Sequence, residues 1–376
     1  MKIALVHDYL SQDGGAERVL QSFHEIWPDA PIFVLFHDKK KMPEYSSEQI
    51  RESFLSKLPM GRKKYQWYLP LMPIATEKHN LHEFDVVLSS TSAFAKGVLT
   101  RPDTLHISYC HTPTRYLWTD THEYIADLKY NFLIKSFLPR FIHKLRIWDR
   151  MSVDRVDHFI ANSGTVKKRI KKYYRREADI IYPPVNTKDA FVLPKEKIDN
   201  YFLTGGRMVP YKRFDLLVQT FNRLGKNLII FGEGPEKKRL QKLAKDNIKF
   251  IGRVSDEDKM RLLAGCKAFL HPQIEDFGIT PVEAMACGRP VIAYPVGGVT
   301  ETVIGGQSGE FFSVQSWESL FDIVLNFDHK KWDSQKIQNR AEHFSEKIFK
   351  EKIKRYVDNK YSIFRQNLEQ CSLEVR

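Results

Sequence analysis

Two glutamates with seven residues between them, Glu275 and Glu283, bracket a strand-to-helix turn in the segment EDFGITPVEAMACGRPVIAYPVGGVTE, residues 275–301. The apolar run 268–270 reads as a buried strand, and residues 281–286 read as a helix stopped by Gly288. Glu275 then stands in the loop beyond a strand end. Phe277, Gly278 and Ile279 offer backbone N–H groups just ahead of the helix, where unpaired donors and the positive dipole end favour a phosphate oxygen. Gly278 lets a ligand come close, and Glu283, one turn into the helix, can accept from two vicinal hydroxyls of the kind a ribose presents. Together these groups suit a nucleotide diphosphate carrying an activated sugar. Thr280-Pro281-Val282-Glu283 also fits a capping box with proline at the first helical position. Glu275 breaks that tie, because it has no helix-start role and no Lys or Arg within four residues to pair with.

Arg207 and Lys212, in GGRMVPYKRFDLL, follow one strand and precede a helix, so both can converge on a diphosphate and stabilise charge growing on a leaving group. Two solvated surface cations are the plainer alternative; the Gly-Gly turn directly before them favours the site. Gly14-Gly15, within the loop 13–17, opens the first helix and lets backbone approach a phosphate or sugar, although paired glycines also occur for steric reasons. His111 follows a strand and precedes Pro113, which puts it at a strand end. Residues 232–234 and 252–254, with Val254, could flank a base, on the weak evidence of lone glycine patterns. The histidines show no paired spacing and there is no Asp-x-Asp cluster, so no metal is expected, Arg207 and Lys212 taking the place of a magnesium ion. A Gly-x-Ser-x-Gly elbow is absent too.

These loops need strands and helices to hold them. Apolar runs at 2–7, 32–36, 86–89, 105–109, 159–162 and 180–182 alternate with helical patterns, which means a parallel sheet covered on both faces. A polar, turn-rich break after residue 185 precedes a second series at 201–205, 227–231, 248–251, 268–271 and 291–294, with a helix at 214–224 between the first two. The fold class expected is α/β: two Rossmann-like doubly wound domains, 1–182 and 183–349, facing across a cleft. Ligands of such sheets bind beyond the carboxyl ends of the strands, where all the loops above fall. From residue 317 onward the pattern is helical and increasingly charged.

The 376 residues can bury two ordinary cores. No stretch has the eighteen or so apolar residues of a spanning helix, and residues 1–8 read as a strand opening and not a signal peptide, so a cytosolic location is expected. Cys110, Cys266, Cys287 and Cys371 are too scattered for a metal cluster or a disulfide scaffold. The net charge of +13 calls for an acidic partner surface. Residues 167–176 (KKRIKKYYRR), 132–150 (FLIKSFLPRFIHKLRIWDR) and 57–73 (KLPMGRKKYQWYLPLMP) mix cations with apolar or aromatic side chains, a composition suited to an anionic headgroup layer; each alone could be a solvated face. No nucleic-acid-binding signature is present.

HDYL at 7–10 with GGAERV at 14–19, CHTPTRYLW at 110–118 and the 275–294 segment together resemble the retaining glycosyltransferases of family 4, which have the GT-B fold. The likeness covers nearly the whole chain and extends to the bacterial mannosyltransferases that build O-antigens and exopolysaccharides. It implies catalytic roles for Glu275, His111, Arg207 and Lys212: Glu275 on donor-sugar hydroxyls, His111 near the transferred sugar, and the two cations on the diphosphate. Gly14, Gly15, Val254, Phe277, Gly278, Ile279 and Glu283 would bind the donor, with Val254 near the base and Glu283 on the ribose. It further implies retention of anomeric configuration without a metal or other cofactor, the donor phosphate taking the acceptor's proton, and a C-terminal helix, 350–376, joining the first domain. The expected activity is transfer of a hexose, mannose from GDP-mannose, to a lipid-linked saccharide by a cytoplasmic enzyme held on the inner face of the membrane. A UDP-sugar donor, a nucleotide-sugar epimerase and a non-catalytic basic membrane-binding scaffold are the alternatives.

Overall fold

The structure is a computed structural model that describes residues 1–11, 14–43, 45, 49–59, 65–119, 121 and 132–374. Asp13 and residues 60–64 of the segment 57–73 lie outside the described residues, as do the side chains of 132–137 and Cys371. The chain forms two compact units, Met1–Tyr182 with Phe349–Arg376, and Pro183–Ile348.

The first unit is built on seven parallel strands: β1 (Ile3–His7), β2 (Ile32–Val34), β3 (Ile50–Glu52), β4 (Val86–Thr91), β5 (Leu105–Cys110), β6 (His158–Ala161) and β7 (Ala178–Ile180). Their order is β3-β2-β1-β4-β5-β6-β7. Every residue of β1, β4 and β5 is buried, the pattern of central strands covered on both faces. The helix Gly15–Ile26 buries Val19, Leu20 and Phe23 against them. The long helix Glu346–Glu374 adds Phe349, Ile353 and Val357 to the same core. These three recur every fourth residue and so share one face. Their burial contributes about 1.5–3 kcal/mol each as an upper estimate.

The second unit has six parallel strands: β8 (Phe202–Gly205), β9 (Leu228–Phe231), β10 (Ile248–Gly252), β11 (Phe269–His271), β12 (Val291–Ala293) and β13 (Gly309–Phe311). The order β10-β9-β8-β11-β12-β13 is the doubly wound arrangement in which direction reverses between the first and fourth strands. The helix Phe214–Leu224 buries Phe214, Leu217, Val218 and Phe221, then stops at Gly225 in the left-handed region, φ 67°.

The two doubly wound α/β halves are thus present. Strands β3 (IRE) and β13 (GEF) were not anticipated, because three residues with one or two apolar side chains carry no periodicity. The strand expected at 180–182 instead occupies Ala178–Ile180, paired to β6.

Candidate active site

In the second unit the reversal of strand order sets β8 beside β11, with Leu203 opposite Phe269. The loops that leave these two neighbours carry Lys212 and Glu275. The Lys212 ammonium lies 2.8 Å from Oε1 of Glu275, so the partner that local sequence did not supply comes from 63 positions upstream by topology. Arg207 is exposed on the Lys212 loop and makes no ion pair among the described residues.

The helix after Glu275 is Ile279–Ala286, and Gly278 precedes it with φ 88° and ψ 79°. An L side chain rarely adopts that conformation, which accounts for glycine here. Pro281 is therefore the third helical residue, and Thr280 lies inside the helix, which removes the capping-box reading. The first-turn N–H groups, those of Ile279 among them, have no intrahelical acceptors and form the anion-favouring end. Phe277 anchors the loop from below, its buried ring set edge-on to Phe344 at 5.7 Å between centroids. The loop is also clamped from β12: the Gly298 N–H donates to the Glu275 carbonyl at 2.9 Å. A Cβ on Gly298 would meet Asp276 O at 2.3 Å, so only glycine permits that approach.

Glu283 is only 1% exposed and accepts from Lys259 at 2.9 Å, so its carboxylate is tied to a neighbouring helix of the same unit. Lys259 belongs to the helix Asp256–Gly265 that starts just past half-buried Val254. That ion pair fixes the Val254 loop to the helix bearing Glu283. A residue not singled out from the sequence, His271, ends β11. Its imidazole packs under Gly278, where a Cβ would meet Nε2 at 3.6 Å. Desolvation pushes its pKa down to about 4, against the pull of Glu275 and with the push of Lys212. At neutral pH it is an uncharged imidazole beside the Lys212–Glu275 pair. Its position directly before Pro272, at the end of a strand whose loop carries Glu275, was the available signal.

In the first unit the corresponding reversal sets β1 beside β4, and the loops of Gly14, Gly15 and His111 leave this end of the sheet. Gly14 is extended, φ −146°, and its carbonyl accepts from Arg18 as the helix begins at Gly15. His111 is nearly buried, and its Nε2 lies 2.8 Å from Oγ of Ser90. Desolvation, then the neighbouring His7, lowers its pKa to about 3. Asp8, also missed in the sequence, accepts four backbone N–H groups: Ser92 and Ala93 on Oδ2, at 2.7 and 2.9 Å, and Phe94 and Ala95 on Oδ1, both at 2.7 Å. A carboxylate is the side chain that can absorb four donors at once, so Asp8 shapes the loop that follows β4.

A family model described as "Glycosyltransferase Family 4" matches residues 13–189, and one described as "Glycosyl transferases group 1" matches residues 185–344. The chain belongs to the family 4 glycosyltransferases. The chain is 29% identical over 225 residues to the O-antigen chain mannosyltransferase of Salmonella typhimurium, covering 54% of this chain and 63% of that one. It is 25% identical over 301 residues to an alpha-1,3/1,6-mannosyltransferase of Dictyostelium discoideum, covering 65% and 68%. The chain spans about three fifths of the length of the first curated relatives it matches. Among solved structures, Anabaena HepE in complex with UDP and glucose superposes with a TM-score of 0.71 at 19% identity, covering 95% of this chain and 99% of that one. The chain therefore has the GT-B fold class.

Proposed function

We propose that the enzyme is a retaining hexosyltransferase that takes mannose from GDP-mannose, without a metal, and passes it to a lipid-linked saccharide. The observation that carries this reading is the Lys212–Glu275 pair, set beside a helix N-terminus at the point where strand order reverses. A cation and first-turn N–H groups suit a diphosphate, and a carboxylate next to them suits sugar hydroxyls. Glu275 would hold the donor hexose, Lys212 and Arg207 the diphosphate, Phe277, Gly278 and Ile279 its oxygens through backbone N–H, Glu283 the ribose and Val254 the base. The mannosyltransferase activity of the Salmonella and Dictyostelium relatives supports the sugar, and the UDP and glucose held by HepE support a nucleotide-sugar donor in general.

Association with an anionic membrane face has its support in the helix Phe132–Ser152. Arg140, Lys144, Ile147 and Met151 are exposed along one side of it, cations toward one end and apolar side chains toward the other. Residues 167–176 contribute less than their composition suggests, since Arg176 is tied to the carbonyls of Val153, Val156 and Asp157 and Arg169 to Thr112. No helix among the described residues is long and apolar enough to cross a membrane.

The test is thermal stabilisation by a panel of nucleotide sugars, followed by transfer to a polyprenyl-diphosphate-linked saccharide in the presence of EDTA. GDP-mannose should raise the midpoint most, since a ligand that binds only the folded chain stabilises it, and transfer should persist with chelator. Preferential stabilisation by a UDP-sugar would replace the donor. Conversion of the sugar without acceptor would favour an epimerase, and failure to bind any nucleoside diphosphate would favour a scaffold.

A further inference from the structure

Along the outer edge of the first unit's sheet two cavities of about 630 Å3 and 440 Å3 adjoin, with Asp179, Tyr356 and Lys360 in the walls of both. Each has the size of a small-ligand site. They lie beside β7, which pairs with β6 on one side and with no strand on the other among the described residues. The smaller cavity opens at the starts of β6 and β7, where Asp157, His158 and Glu177 line it. Ligands of doubly wound sheets bind at the opposite end, so this groove is separate from the loops of Gly15 and His111.

The walls are cationic, and the cations arrive from separate segments. Lys352, Arg355 and Lys360 share one face of the helix Glu346–Glu374. Lys167 comes from the helix Gly164–Arg169, and Arg175 and Arg176 from the turn between that helix and β7. Against these six cations stand three carboxylates, each already engaged. Asp179 accepts from the Tyr356 hydroxyl at 2.8 Å, Asp157 accepts from the backbone N–H of His106 at 2.7 Å, and Glu177 pairs with Lys171. His158 adds no charge at neutral pH, because burial and then Lys360 lower its pKa. Arg175, Lys352 and Arg355 make no ion pair among the described residues. Six cations less three carboxylates leave an excess of three positive charges around one groove. Like charges gathered in a cleft repel when it is empty and concentrate an anion there.

The backbone supplies an independent observation. Arg175 follows a single π-helical turn, Ile170–Tyr174, and sits at φ 56° and ψ 33°. That is the left-handed region, which glycine would occupy more cheaply, and strained residues of this kind cluster at ligand sites. Isolated π-helical turns are found there too. An arginine is retained at the position where a glycine would relieve the backbone, and it lines the groove.

We infer that this groove is a second ligand site, one that binds a phosphate ester between Arg175, Arg355 and Lys360. Guanidinium forks match phosphate oxygens in pairs. A phosphate monoester carries about −1.5 to −2 at neutral pH, which offsets most of the excess charge. A free glycerol or sugar phosphate offers this chemistry, and so does the headgroup of a phosphatidic acid.

The experiment is calorimetric titration of the full chain with glycerol 3-phosphate in the presence of GDP, alongside sedimentation with phosphatidylcholine vesicles that contain or lack phosphatidic acid. Binding of glycerol 3-phosphate would assign a free ligand, and binding only to the phosphatidic acid vesicles would assign the headgroup. Either interaction should weaken by about 10- to 100-fold in Arg355→Gln/Lys360→Gln, since hydrogen bonds to a charged group are lost. Both positions are on a helix surface, and GDP affinity should be unchanged. Arg175→Gly should weaken the same interaction while its melting midpoint holds or rises, a combination that a purely structural arginine would not give. Absence of binding to both probes, binding unchanged in either variant, or an equal response to acetate would each overturn the inference. A wild type that binds glycerol 3-phosphate but no nucleotide sugar would count against the functional proposal instead.

Discussion

Replacing Lys212 by methionine separates what this cation does for stability from what it does for transfer. The stem of the side chain is kept and the charge is lost. In the structure the ammonium lies 2.8 Å from Oε1 of Glu275, and the two side chains retain 15% and 21% exposure. Water screens a pair so placed, and partly exposed ion pairs contribute about 0.2–1 kcal/mol. The second unit should therefore lose at most about 1 kcal/mol, or about 2–4 °C in its melting midpoint. The effect on the reaction is larger. A cation about 4 Å from a diphosphate oxygen, at an effective dielectric of about 20, interacts by about 4 kcal/mol. Part of this is offset because Lys212 must share itself with Glu275. The expected fall in kcat is then about 10²- to 10³-fold, as for removal of one electrostatic stabiliser of a developing charge. The assay pairs calorimetric melting with single-turnover transfer from saturating GDP-mannose. A kcat within tenfold of the wild type would refute a role for Lys212 at the leaving group, and a stability loss above about 3 kcal/mol would show the pair to be chiefly structural.

Asp8→Asn leaves a single accepting oxygen for four N–H donors; with about 1.5–3 kcal/mol per lost bond to a charged acceptor, the first unit should lose roughly 3–6 kcal/mol in urea unfolding, and a loss below about 1 kcal/mol would contradict the loop-shaping role. His271 takes up its proton at about pH 4 in the folded chain and at about 6.5 when unfolded. The unfolded state thus binds more protons between those values, and stability of the second unit should fall on acidification through that window by on the order of 3 kcal/mol. His271→Phe, which cannot take up a proton, should flatten this pH dependence, and an unchanged slope would assign it to another group. Gly278→Ala would place a Cβ residue at φ 88°, at a cost of about 1–2 kcal/mol; calorimetric titration with GDP-mannose should show weakened binding, and unchanged affinity would mean that the loop's conformation is not required by the donor.

The sheets were legible because most of their strands are continuous apolar runs closed by Gly, Pro or polar residues, as in residues 2–7 or 227–231. What escaped was contact across the chain. Glu275 has no cation near it in sequence, yet β8 and β11 become neighbours and bring Lys212 to it. Glu283 could be placed on its helix but not assigned a partner, because Lys259 comes from another helix. Asp8 lies in a motif that the sequence reading noticed, HDYL, without any local sign that its carboxylate gathers the N–H groups of residues 92–95. His271 sits in a strand identified correctly, whereas Ser90 lies just past the run read at 86–89 and belongs to β4. Strand alternation says which face a residue occupies, and nothing about which loop will arrive above it.

The helix Glu346–Glu374 has a consequence for how the molecule is made. Its Phe349, Ile353 and Val357 complete a core whose other members lie before residue 182, so a nascent chain emerging from the ribosome can finish its second half while its first half still lacks a wall. That first half must wait, with apolar surface uncovered, until this helix is translated. Removing the helix from Phe349 onward should therefore harm the half made first, with aggregation during synthesis as its mark.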